Sequence, residues 1–276
     1  MIQDILVNLS TTAGPKDDPT RTYAISLAQQ FNARLTSVAV AYQVYAPGPM
    51  FAPAIDIVDA ANKENEERAL SAIERFDSAA RLQSIQSEAR KTSAMPTHAA
   101  SLFGRQARCF DLSIVSQPEP DGLSSDELFF EAALFDSGRP VILIPYIHTG
   151  PVRLKNIICS WDGSREAARS IGDAMDFLSK ADTVSLFTVQ SNGAIDPQRE
   201  FDMPQHLSRH GIHVTTERSG ASDIDVADAI LSYASDFSAD LLVMGGYGHS
   251  RFREFILGGV TRTILDTATV PTLFSH

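Results

Sequence analysis

Short apolar runs alternate with longer amphipathic ones along this chain. "ILVNL" at Ile5–Leu9 and "LTSVAVAY" at Leu35–Tyr42 have the length and residue types of strands. Between them, "YAISLAQQF" sets Tyr23, Ile25, Leu27, Ala28 and Phe31 along one helical face. The same order recurs later, with a strand starting at Ile157–Cys159, a helix over Ala167–Leu178 and a strand over Val184–Val189. In "DIDVADAILSYASDFSA", Val226, Ile230, Tyr233 and Ala234 fall at helical spacing, and the preceding "SDID" offers N-cap oxygens. "DLLVM" is then a nearly continuous apolar strand, the kind found in parallel sheets covered on both faces. This alternation predicts an α/β fold with right-handed crossovers.

The alternation also repeats as sequence. "IQDILVNLS" at Ile2–Ser10 resembles "LKNIICSWD" at Leu154–Asp162, and Arg21–Tyr42 resembles Ala167–Val189. "FDLSIVSQ" at Phe110–Gln117 resembles "ADLLVMGG" at Ala239–Gly246, and Ser137–Pro145 resembles Thr267–Ser275. Matches in one order predict two copies of one domain, residues 1–148 and 149–276, joined near "YIHTGPVRLK". The first copy carries an extra piece over Val44–Ala80. Its "APGPMFAP" is too rich in proline for regular structure and leads into a helix from about Asp56 to Ala80. This piece reads either as a surface loop plus helix or as a lid or partner-contact element.

With 276 residues, of which 43% are hydrophobic and 21% charged, the chain has the make-up of a soluble globular protein. Its net charge of -11 disfavours a broad nucleic-acid or anionic-lipid surface, so any polyanion must be held locally. The two cysteines, Cys109 and Cys159, have no CxxC spacing and read as reduced thiols. "MIQDILVNLS" lacks the features of a signal peptide, and no apolar segment reaches about 18 residues. The cytoplasm is the expected location, without a membrane partner.

In open parallel sheets, ligands bind at the C-terminal strand ends, where the strand order reverses. Two features of the second copy fall there: "SWDGS" at Ser160–Ser164, and the glycine run "MGGYGHSRFREFILGGVTRTIL" at Met244–Leu265. Gly245, Gly248 and Gly258 allow positive φ and close backbone approach, and successive N–H groups there can form an anion nest. "GVTRTILDTA" reads as a helix from about Gly259, whose N-terminus adds free N–H donors. Thr261 offers a hydroxyl, Arg251 or Arg253 a charge for a terminal phosphate, and His249 a contact to phosphate or to a metal bound on it. Asp162 reads either as a ligand contact or as half of an Asp-Gly turn.

The spacing Gly245-x2-Gly248-x9-Gly258, followed by "GVT" and lying between "ADLLVMG" and "VPTLF", resembles the nucleotide loop of the universal stress proteins. The resemblance covers the second copy and, more weakly, the first. It implies two tandem, open, parallel five-stranded sheets flanked by helices, of the adenine-nucleotide alpha-hydrolase-like kind, related by a pseudo-twofold axis. It also implies dimerisation through the last strand, here within one chain or as a further homodimer. It makes ATP, or AMP or ADP, the expected ligand, with Mg2+ on the phosphates. Asp162 would hydrogen-bond the adenine or ribose, and Val189 would pack on the adenine. Met244, Gly245 and Gly248 would line ribose and phosphates, and Gly258, Gly259, Val260 and Thr261 would wrap the phosphates through main-chain N–H groups. Where the family pattern has Ser or Thr after the third glycine, this chain has Gly259. The lost hydroxyl contact is worth roughly 1.5–3 kcal/mol to a charged group, about tenfold or more in affinity.

The first copy lacks this equipment. Asn8–Ser10 stands in place of Trp-Asp-Gly, and Ser116–Pro140 has no G-x2-G. There Pro118 and Pro120 remove N–H donors, and Glu119, Asp121, Asp126, Glu127 and Glu131 repel phosphate. The copy is expected to bind no ATP and to pack on its twin, with the apolar "LFFEAALF" as the interface or as a buried helix. His210 and His213 flank Gly211 and read as a turn rather than a metal pair. No Walker GxxxxGK[ST], HExxH or GxSxG is present, nor any nucleophile and base constellation. The leading expectation is a stress-response module that binds nucleotide and hydrolyses it slowly at most. A scaffold with a vestigial site and an adenylate-transferring enzyme are its rivals.

Overall fold

The computed structural model describes residues 1–11, 18–45, 55–118, 125–190, 202–220, 225–247 and 259–276. In the first half, β1 (Asp4–Leu9), α1 (Pro19–Phe31), β2 (Arg34–Tyr42), α2 (Ile55–Leu82), β3 (Ser87–Ala94), α3 (Pro96–Ala107), β4 (Leu112–Ser116), α4 (Asp126–Asp136) and β5 (Val141–Ile144) alternate as the apolar pattern predicts. The second half repeats them as β6 (Asn156–Ser160), α5 (Arg165–Asp173), α6 (Met175–Leu178), β7 (Thr183–Gln190), α7 (Asp202–Arg209), β8 (Val214–Gly220), α8 (Val226–Asp236), β9 (Leu241–Gly245), α9 (Gly259–Thr267) and β10 (Thr272–Ser275).

The two expected five-stranded parallel sheets are both present, and they join edge to edge. The strands form a single sheet in the order β3-β2-β1-β4-β5-β10-β9-β6-β7-β8. Within each half all pairing is parallel, in equivalent order. The halves join where β5 meets β10 antiparallel, with Thr272 opposite Leu143 and Phe274 opposite Val141. Both edge strands are short and wholly buried, and pairing them satisfies backbone groups that open edges would leave without partners. Antiparallel joining also sends the C-terminal strand ends of the two halves to opposite sides of the sheet.

Duplicated hydrogen bonds record the repeat. Asp111 Oδ2 accepts the N–H groups of Gln3 and Asp4 at 2.8 and 3.0 Å, and Asp240 Oδ2 accepts those of Lys155 and Asn156 at 2.9 and 3.0 Å. Ser113 N–H reaches Pro140 O at 3.1 Å, and Leu242 N–H reaches Pro271 O at 3.0 Å. This last pair shifts the alignment of the final strands by one residue, setting Pro140 against Pro271. One apolar cluster on each face of the sheet takes residues from both halves.

The helices follow their predicted faces. In α1, Tyr23, Ile25, Leu27 and Ala28 are buried, Asp18 caps the start through Arg21 N–H, and Asn32 ends the helix at φ 52°. The helix expected over Ala167–Leu178 is broken at Ala174, which sits at φ −90°, ψ 0° with its N–H shared among the preceding carbonyls. The expected helix from Asp56 is α2, held by Ala69, Ala72, Phe76 and Ala80 in its second part. Nearer its start, Asn65 donates to Tyr42 O, and Asn62 bonds both backbone groups of Val44. The apolar "LFFEAALF" satisfies both of its readings: it is a buried helix, α4, and it lies at the join, with Phe130 edge-on to Phe274 at 5.1 Å.

Candidate functional site

In the second half β6 lies between β7 and β9, and the strand order reverses at β6 and β9. Its crevice at the C-terminal strand ends is therefore the place where an α/β sheet binds ligands. Register shows what gathers there. Ser160 is level with Phe187, and Cys159 with Val243, so Asp162, Val189 and Gly245, each two residues further on, reach the same rim. Trp161 N–H continues the ladder to Phe187 O at 2.8 Å, and the indole is nearly buried. Gly163 then turns the chain at φ +75°, and Ser164 caps α5 by accepting Ala167 N–H at 3.1 Å. Asp162 is exposed beside this turn, with Oδ1 accepting Ser164 N–H at 2.9 Å. The turn role of Asp162 is thus present in the geometry.

The opposite wall comes from the end of β9. Met244 is packed into the core, so it offers the rim only its main chain. Val189 and Val260 are half-buried against the same apolar cluster. Gly245 has a packing reason for lacking a side chain: a Cβ there would lie 2.7 Å from the Ala167 nitrogen and 2.7 Å from the Glu166 carbonyl carbon. The first turn of α5 thus rests directly on the end of β9. Tyr247 follows at φ 56° with its ring buried, and its N–H donates to Thr261 Oγ1 at 3.1 Å. That bond ties the end of β9 to the first turn of α9 and gives the Thr261 hydroxyl oxygen a partner inside the protein. At Gly259, the first residue of α9, an added Cβ would meet nothing within 4 Å among the described residues. Gly248, His249, Arg251 and Gly258 lie outside the described residues.

Three further side chains border the rim. Glu166 is 5% exposed in the first turn of α5. Burial alone would push its carboxyl up, but the Arg165 hydrogen bond and charge, with His276 nearby, outweigh burial and hold it below the usual carboxylate range. The Tyr247 hydroxyl is buried without a hydrogen-bond partner among the described residues, and burial, then the charges of Glu131 and Asp266, push its phenol well above the usual tyrosine range. His276 Nδ1 lies 3.1 Å from Gly246 O. No sequence motif marks Glu166, and the positive φ of Tyr247 has no signature in a residue other than glycine.

The matching rim of the first half is built differently. Where Gly245 stands in the second half, Ser116 pairs its hydroxyl with that of Thr20 at 2.8 Å. Where Gly246 stands, Gln117 makes the equivalent main-chain bond, to Ile144 O at 2.8 Å, and donates its side-chain amide to Leu265 O. Helix α4 opens with Asp126 and Glu127, whereas α9 has no acidic residue in its first turn. His210 and His213 flank a helix-ending turn: Gly211 has φ +77°, its N–H bonds Ser208 O, and Ile212 N–H bonds Leu207 O.

The sequence pattern of the universal stress protein family matches residues 153–276. The second half of this chain is a universal stress protein domain. Over 46 residues the chain is 41% identical to universal stress protein Slr1230 of Synechocystis sp., a stretch that is 17% of this chain and 16% of that relative. A universal stress protein from Archaeoglobus fulgidus DSM 4304 superposes with a TM-score of 0.74 at 16% identity, over 99% of this chain and 97% of its own. A functionally unknown protein, PA1789 from Pseudomonas aeruginosa PAO1, superposes with a TM-score of 0.62 at 14% identity, over 99% and 92%. The universal stress protein fold therefore extends through both halves. Among the described residues, no helix is long and apolar enough to cross a membrane.

Proposed function

We propose that the universal stress protein domain at residues 149–276 binds ATP, or AMP or ADP, at the rim formed by β6, β7, β9 and α9. In this reading residues 1–148 are a degenerate copy without a cradle, and the protein is a cytoplasmic binding and signalling module that hydrolyses nucleotide slowly at most. The observation that carries the reading is convergence: Asp162, Val189, Gly245 and the α9 N-terminus meet at the switch point of the sheet. Gly248 and Gly258 complete the loop spacing, and His249 and Arg251 supply the groups for the terminal phosphate. The N–H groups that open α9 suit phosphate, because α9 has no acidic residue in its first turn. Among the described residues no group of three or more His, Cys, Asp or Glu side chains is placed to hold a metal ion; in this reading Mg2+ comes with the phosphates.

The test is to purify the protein without added nucleotide, denature it and identify released small molecules by mass spectrometry, then to titrate ATP by calorimetry. An adenine nucleotide carried or bound by the wild type, and lost in Gly248→Val, supports the reading. A wild type that neither carries nor binds one refutes it. One observation favours a second reading, a scaffold with a vestigial site: Gly259 has no hydroxyl where the family pattern has Ser or Thr. The same titration separates the two.

A further inference from the structure

Helix α4 belongs to the first half, yet it touches both sides of the glycine run in the second. On the entry side, Gly246 lies against Leu134: a Cβ on Gly246 would be 2.9 Å from the Leu134 Cδ2 atom. The Tyr247 ring rests on Phe135 at 4.9 Å between centroids. Phe135 also meets the His276 ring edge-on at 5.0 Å, and His276 in turn contacts Gly246 O. On the exit side, Glu127 is ion-paired with Arg262, next to Thr261 in the first turn of α9. Gln117, just past β4, donates to Leu265 O further along α9. Tyr247 and Thr261 are themselves bonded to each other.

The conformation held there needs holding. A non-glycine residue at positive φ is disfavoured in an isolated chain and persists when its surroundings fix it. Tyr247 also buries a hydroxyl that has no partner among the described residues, and its burial is sustained by packing and by the Thr261 bond. Phe135 supplies the ring that packs on it. We infer that the first half serves as a positioning element for the nucleotide site of the second, with Phe135 holding Tyr247 and thereby the entry to the cradle. This rests on the functional reading above. Phe135 is a positioning residue, since it acts through Tyr247.

The test uses the full chain and two readouts: amide hydrogen exchange at Tyr247, and ATP affinity by calorimetry. In Phe135→Ala the Tyr247 amide should exchange faster while the β4 and β9 amides keep their protection, and ATP should bind about threefold to tenfold more weakly, the scale of a lost aromatic pair. Phe135→Tyr, which keeps the ring, should restore both. Should Phe135→Ala expose the strand amides as well, Phe135→Leu decides by the same readouts. Wild-type exchange at Tyr247 in the decisive variant overturns the inference. If the wild type binds no adenine nucleotide, the functional reading falls, and the exchange readout alone decides the positioning role.

Discussion

The two rims of this protein start from one plan and end with different chemistry. In the first half, Ser116 keeps a side chain at the end of β4 and bonds it to Thr20. In the second, Gly245 gives up the side chain, and the first turn of α5 closes onto the strand. The first half opens α4 with Asp126 and Glu127, and the second opens α9 with Gly259, Val260 and Thr261. A duplicated scaffold keeps its strand-stapling carboxylates, Asp111 and Asp240, in both copies. What diverges is the C-terminal rim. The shared parts are those the sheet needs, and the unshared ones are those a ligand would feel.

The largest expected effect comes from breaking the close approach that only the second half has. Gly245→Ala pushes a Cβ into main-chain atoms 2.7 Å away, which should cost about 2–3 kcal/mol in urea unfolding. Ser116→Gly in the first half should cost only about 1 kcal/mol, the worth of one hydroxyl pair. Equal losses would mean the two strand ends are built alike. Next come the staples. Asp111→Ala and Asp240→Ala should each cost about 1–2 kcal/mol, through two lost bonds to a carboxylate. The double variant should be additive within about 0.5 kcal/mol, because the two share no partner.

A third experiment sharpens the contrast at the helix starts. Among the described residues nothing crowds Gly259, so Gly259→Ser should be accommodated and should tighten ATP binding about tenfold or more. Leu128→Gly in α4 should create no binding, because Asp126 and Glu127 remain. The smallest effect concerns the join. His148 Nε2 is buried without a partner among the described residues, and the ring packs on Tyr23 at 5.5 Å. Burial first, then the charge of Arg153, hold its pKa below the usual value, against an opposing backbone bond at Gly150. The unfolded chain therefore binds the proton more readily, so stability should decline modestly as pH falls through about 6.5 toward the lowered value. His148→Gln should flatten that slope in urea midpoints measured between pH 7.5 and 5.5.

Much of the scaffold was legible because it rests on local patterns. "DLLVM" and "ILVNL" are strands since buried parallel strands must be apolar on both faces. The "SDID" segment marked a helix start because Asp225 accepts Ala227 N–H. The union into one sheet came from the family resemblance and not from the pattern, since nothing local to β5 or β10 says that they pair antiparallel across more than a hundred residues. The break at Ala174 depends on how α5 meets the strands. At the site, glycine is ambiguous by nature. Gly245 looks the same in sequence whether it yields to a ligand or to the backbone of α5. Thr261 showed its hydroxyl in the sequence, but that its oxygen accepts Tyr247 N–H belongs to the fold alone.

The central claim is that one of the two halves holds a nucleotide. Calorimetric titration of ATP into the full chain reads this as a stoichiometry. The account predicts one site per chain, abolished by Gly248→Val in the second half and untouched by Ser10→Ala at the matching rim of the first. Two sites per chain, or a single site that survives Gly248→Val, would contradict it.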